Sequence, residues 1–261
     1  MEIPLFPLHA VLCPGIALPL HIFEPRYRLM VARCIEDSTP FGIVLIRDGH
    51  ETGPGTLALS HVGTVASIRE AGRYPDGRYD LLVVGTERFA IDDVDAERES
   101  YLVGQVELLD EDVGDEERAA TLSARTMRRF VTYLRLLQPR EGESGEDIDV
   151  RVEVETTDEP EEGEPAEGIE PPPELEIEAE ADDAESVRRR VVIPDDPTVL
   201  SYLLAGIIQV ELPRRQALLE AETTEERLAM LDGLIDRELA LLRRRLRLFA
   251  PTAGVLPQRR S

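Results

Sequence analysis

The stretch "IPLFPLHAVLCPGIALPLHIFEPRY", residues 3–27, sets five prolines into an otherwise apolar run. Proline fixes φ and lacks the amide hydrogen that a helix interior needs. Pro4, Pro7, Pro14 and Pro19 therefore rule out a continuous helix and dictate extended chain with repeated turns. The same prolines break the helical core of an export signal, and Glu2 stands where its basic start would be. No apolar run approaches the ~20 residues of a spanning helix. With 42% apolar residues, the sequence predicts a soluble, cytoplasmic chain with a real core and no membrane contact.

Pro25 plays a different part. Proline suits the first helical position, and Glu24 before it places a negative charge at the helix N-terminus. Tyr27, Met30, Val31 and Cys34 then recur at helical spacing, with Arg26, Arg33 and Glu36 between them. One amphipathic helix is predicted over 25–37. Cys13 and Cys34 both lie among apolar residues and read as buried free thiols of a reducing compartment.

The remainder of the first half reads as strands. "FGIVLI" (41–46) is a short apolar run fit for a buried strand. Residues 62–71 and 78–91 flank Pro75-Asp76-Gly77, a strong hairpin turn. Within 79–86 both alternating rows are partly apolar, which suits a strand covered on both faces. "YLVGQVELL" (101–109) alternates again, with Leu102, Val106 and Leu108 on one side. Strands of this kind suggest a small irregular barrel or two packed sheets.

The second half is helical. Leu122, Met127, Phe130, Leu134 and Leu137 mark a broad face over 116–137, before Pro139. Further helices are predicted in "DDPTVLSYLLAGIIQV", "LPRRQALLEA" and "TTEERLAMLDGLIDRELALLRRRLRLF", the last opening on a Thr223/Glu226 capping box. Its Leu and Ile stripe over 228–249 reads either as a bundle core or as a seam for a homodimer.

Charge divides the chain sharply. Residues 141–186 hold 21 acidic residues and one arginine, so they carry −20 of the net −24. The rest is nearly balanced at −4. With five prolines, no aromatic residue and few aliphatics, 141–186 cannot bury enough apolar surface to offset its ordering entropy. It is predicted to be disordered. A flexible chain of its length spans about 37 Å, while its field fades over about 8 Å at physiological salt. It is expected to act by contact, masking an arginine-rich patch or recruiting a basic partner.

All 29 basic residues are arginine. That removes the lysine of a Walker A loop and of a Ser-Lys dyad. No Gly-x-Ser-x-Gly elbow is present. His9, Cys13 and His21 follow no recognised metal-ligand spacing. No catalytic residue, metal or cofactor is predicted.

The proline-rich opening with its Phe-Glu-Pro-Arg-Tyr close, "FGIVLI", "GTVASI" (63–68), "YDLLVVGTERFAI" and "LSYLLAGIIQVELPRRQALLEAETTEERLAMLDGLI" together resemble the Lon-protease N-terminal domain family. The resemblance covers nearly all of the chain except the acidic insert. It implies an α+β protein: a PUA-like β pseudobarrel with one packed helix over 1–112, then a helical subdomain formed by 113–140 and 187–251, with 141–186 inserted. It also implies a stand-alone substrate-recognition module, without ATPase or peptidase parts. Such a module would bind unfolded or exposed apolar polypeptide, or act as an adaptor. The alternatives are an RNA-binding PUA-like protein, which the acidity argues against, and a self-associating protein. Candidate peptide-binding residues are Phe23, Glu24, Arg26, Tyr27, Tyr74 and Tyr79. For Glu24, Arg26 and Tyr27 the competing reading is structural: Glu24 caps, Arg26 pairs with a carboxylate, and Tyr27 packs. Phe23, Tyr74 and Tyr79 are expected to be exposed.

Overall fold

The computed structural model describes residues 1–48, 58–137, 150–153, 189–192 and 194–249. Seven strands and one helix form the first half: β1 (Glu2–Leu8), β2 (Ala17–Ile22), α1 (Pro25–Asp37), β3 (Phe41–Asp48), β4 (Ala58–Leu59), β5 (Val62–Arg73), β6 (Tyr79–Asp95) and β7 (Leu102–Leu108). Five of the strands close on themselves. β1 pairs antiparallel with β7, β7 with β6, β6 with β5 and β5 with β3, and a parallel β3–β1 pairing completes the circuit. Closure removes sheet edges. β2 lies outside this circuit, antiparallel to the first half of β6, with Pro19 in its middle. A proline, lacking an amide donor, is tolerated on such an edge strand.

The fold is α+β, as the sequence predicts. Helix α1 occupies the predicted span and buries the predicted face: Tyr27, Met30, Val31 and Cys34. Burying each such side chain contributes about 1.5–3 kcal/mol. The Tyr27 ring meets Phe6 edge-on at 4.4 Å. Two details differ from the sequence expectation. The Glu24 side chain makes no capping hydrogen bond; it takes the Arg26 guanidinium instead, at 2.9 Å. On β7, Val103 and Val106 are the buried side chains while Leu108 is 40% exposed, because the strand runs out past the barrel's interior.

The helices are α2 (Glu116–Leu137), α3 (Pro197–Ile207), α4 (Leu212–Glu220) and α5 (Thr224–Phe249). On α2 the buried residues are Ala119, Thr126, Phe130 and Tyr133. Of the predicted face, Phe130 is therefore central and Leu137 is exposed. Asp196 caps α3 by accepting the amides of Thr198 and Val199. At the start of α5, Thr223 accepts the Glu226 amide, while the Glu226 carboxylate takes the amide of Glu222, one residue before the usual partner. Leu228, Leu231, Ile235 and Leu239 are buried in this chain's own core, with Leu242 packed against it. To that point the stripe faces α2, α3 and α4 of the same chain.

Most of the acidic stretch 141–186 lies outside the described residues. Its Val150–Glu153 forms β8, which pairs parallel with β9 (Arg189–Val192).

Candidate functional site

One end of the barrel brings the sequence candidates together. There the β5–β6 hairpin reaches past the closed circuit and α1 lies beside it. Gly77 turns the hairpin with φ +84°, a conformation that favours glycine. A β carbon at Gly77 would also collide with the Arg28 guanidinium, which rests on this turn. A groove of about 280 Å³ runs between the two elements, lined by Pro25, Arg28, Leu29, Ala32, Arg73, Gly77 and Tyr79.

Beside the groove is a polar and aromatic cluster. Asp80 accepts the Tyr74 hydroxyl at 2.5 Å and the His21 Nδ1–H at 2.6 Å. Both hydrogen bonds, Tyr74 first, hold the Asp80 carboxyl below its usual range. Because a carboxylate can only accept, His21 carries its proton on Nδ1. Its Nε2 then faces Arg78 at 3.4 Å. Phe23 stacks near His21 at 6.3 Å and Tyr74 meets it edge-on at 6.2 Å.

The six candidates divide by exposure. Phe23 is 61% and Tyr74 42% exposed, so both present ring surface to solvent. Tyr79, expected to be exposed, is buried: it starts the inward-facing row of β6 and offers only one side to the groove. Tyr27 is buried under α1, with the Arg26 guanidinium 4.7 Å over its ring. Glu24 and Arg26 pair with one another. Arg28, Leu29, Ala32 and Arg73 complete the groove but were not among the candidates. Leu29 carried a signal: it is an apolar residue off the helix's buried stripe, and it is 43% exposed.

A wider cleft of about 640 Å³ lies between α4 and α5. It is lined by Arg214, Arg215 and Arg237 against Glu211 and Glu238, with Leu241 at one side. Charges of both signs there largely offset each other, and none of the candidate residues is present. Among the described residues no group of three or more His, Cys, Asp or Glu is placed to hold a metal ion. None of the described helices is long and apolar enough to cross a membrane.

The described residues thus form a closed β barrel with an added edge strand, followed by a helical bundle, with a groove at one end of the barrel. The profile of the ATP-dependent protease La (LON) substrate-binding domain matches residues 2–237, and the chain belongs to that family. It is 23% identical to the Lon protease of Escherichia coli (strain K12) over 93% of this chain and 25% of that protein. To the Lon protease of Buchnera aphidicola it is 25% identical over 52% of this chain and 18% of that protein. The chain therefore spans a quarter or less of these relatives. Solved structures with this fold include a Lon N-terminal domain protein from Xanthomonas campestris, with TM-score 0.54 and 20% identity over 88% of this chain and 96% of that one. The N-terminal domain of Mycobacterium avium complex Lon protease aligns with TM-score 0.56 and 17% identity over 90% and 98%.

Proposed function

We propose that this chain is a non-enzymatic binding module for unfolded polypeptide, and that the groove between α1 and the β5–β6 hairpin is where polypeptide docks. The observation that carries the reading is the placement of exposed apolar side chains. Phe23, Leu29 and Tyr74 are all more than two-fifths exposed, and they flank or line one groove. Scattered exposed apolar residues are ordinary, whereas several placed around one concavity favour an interaction site. Membership of the substrate-binding family supports the same reading. Glu24 and Arg26 hold one another and the start of α1, so their part is to fix the groove's wall. The acidic stretch 141–186 adds a contact for basic partners.

The test is capture of a permanently unfolded polypeptide, against its folded parent, by the full chain. Enrichment of the unfolded form is expected, with at least a tenfold loss in a Phe23→Ser/Leu29→Ser double variant of unchanged melting temperature. Equal capture of both forms, or capture indifferent to the double substitution, would overturn the reading.

A further inference from the structure

We infer that the groove selects polypeptide segments in which a carboxylate sits beside an aliphatic or aromatic side chain. This deepens the proposed polypeptide binding and rests on it. The groove's floor and walls are apolar where Leu29, Ala32, Pro25 and one side of Tyr79 line it. Among the described residues, its charged lining residues are Arg28 and Arg73. Neither forms an ion pair among the described residues, unlike Arg26, Arg33, Arg78, Arg88 and Arg98, which all do.

The two arginines are also held. The Arg73 guanidinium lies 5.7 Å over the Tyr79 ring. Arg28 rests on the Gly77 turn. On the hairpin turn Asp76 is engaged by Arg78 at 2.7 Å, and the Arg28 charge acts on the same carboxylate only as the weakest of its influences. Two arginines that donate no side-chain hydrogen bond among the described residues, above an apolar floor, complement an anionic group attached to an apolar one, since charge-assisted hydrogen bonds to carboxylates are the strong ones. A groove of this volume accommodates one or two side chains, which suits a local recognition element in an extended chain. The carboxylate has two sources, an Asp or Glu side chain or a free chain terminus, and both present the same chemistry.

Fluorescence anisotropy with labelled peptides of about twelve residues tests this on the full chain. One peptide alternates Leu with Gln and is amidated; one alternates Leu with Glu and is amidated; one alternates Leu with Gln and ends in a free carboxylate. Binding of the Glu peptide, the free-acid peptide, or both at least tenfold tighter than the amidated Gln peptide is expected at low salt, and identifies the source. In an Arg28→Gln/Arg73→Gln double variant that preference should fall to within about twofold, while the amidated Gln peptide binds as before. Equal affinity for all three, or a preference that survives the double substitution, overturns the selectivity and leaves polypeptide binding standing. Binding of none of the peptides removes polypeptide binding as well. Glu-peptide binding that appears only once 141–186 is deleted would assign the groove to the chain's own acidic stretch and overturn the proposal.

Discussion

The Arg227 guanidinium carbon lies 3.8 Å from the centroid of the Tyr202 ring, in a place where Arg227 has no solvent exposure. Burial lowers the guanidinium's pKa, while Tyr202 and Glu111 work the other way. The charge is kept because its donors are filled. Arg227 reaches the Leu218 carbonyl at 3.1 Å and the Ser201 hydroxyl at 3.0 Å. Arg88, from the barrel, reaches the carbonyls of Leu219 and Ala221 at 3.0 and 2.6 Å. Glu111 accepts Arg88 at 2.8 Å and the Tyr202 hydroxyl at 2.6 Å. Two arginines from two elements thus satisfy the orphan carbonyls at the end of α4, where its dipole is negative, and join barrel to bundle.

Replacing Arg227 takes the side-chain donor from the Leu218 carbonyl and removes the 3.5 Å ion pair with Glu111, while Arg88 keeps the Leu219 and Ala221 carbonyls. Arg227→Met is expected to destabilise by about 1–3 kcal/mol through the unsatisfied buried carbonyl, read from the urea midpoint of unfolding. Arg98→Met, which removes the exposed pair with Glu2 at 3.0 Å, should change stability by less than about 1 kcal/mol. Similar losses for the two would show that the junction does not depend on the buried arginine.

How much of this was readable in the sequence depended on how local the signal is. Pro25 and the Tyr27, Met30, Val31, Cys34 spacing placed α1 to the residue, and Pro75-Asp76-Gly77 placed the hairpin. Each of those signals lies within a few residues of the structure it causes. The parallel β1–β3 pairing that closes the barrel joins Leu5 to Gly42, and no local pattern announces it. No local pattern marks Arg88 or Arg227 as buried, because partners such as Leu219 for Arg88 and Glu111 for Arg227 are distant along the chain. The groove was half legible. Its flanking aromatics stood out, but Arg28 and Arg73 became a pair only when α1 and the hairpin met.

Cys13 makes a pH-dependent contribution. Burial raises its thiol pKa from 9.0 to about 11, against the opposing pull of Arg215 and Arg227. A raised pKa gives stability that is full below the unfolded value and lost as pH rises through the folded one. The loss should therefore fall between pH 9 and 11 and amount to about 2–3 kcal/mol. Urea unfolding of wild type and Cys13→Ala near pH 8 and near pH 11 isolates it from every group the two proteins share. A stability drop of the same size in the variant would refute the assignment.

Two glycines should respond to alanine with opposite signs. A β carbon on Gly63 would lie 2.5 Å from Phe89 Cζ and 2.7 Å from the Ile43 carbonyl oxygen. The carbonyl belongs to the neighbouring strand and cannot swing aside, so Gly63→Ala should cost about 1–3 kcal/mol. Gly233 is exposed within α5, with nothing within 4 Å of its would-be β carbon. Gly233→Ala should stabilise by about 1 kcal/mol through helix propensity. Thermal unfolding of each single variant gives the sign directly.

Asp80 is expected to hold the aromatic platform in place above its own titration and to release it below. Its carboxyl is depressed from 3.8 by Tyr74 and then His21. A depressed acid contributes stability that is present above the unfolded value and lost as pH falls through the folded one. The window therefore opens below about pH 4. Asp80→Asn keeps the side chain's shape but removes the charge that orders both rings, so at neutral pH its Tyr74–His21 ring contacts, followed by NMR, should weaken. Wild type should converge on the variant as pH falls below the carboxylate's titration. If the platform carries polypeptide binding, Asp80→Asn should also lower affinity for unfolded polypeptide at neutral pH without changing the melting of the barrel core. Ring contacts that are identical in wild type and variant at neutral pH would show that Asp80 does not organise this end of the molecule.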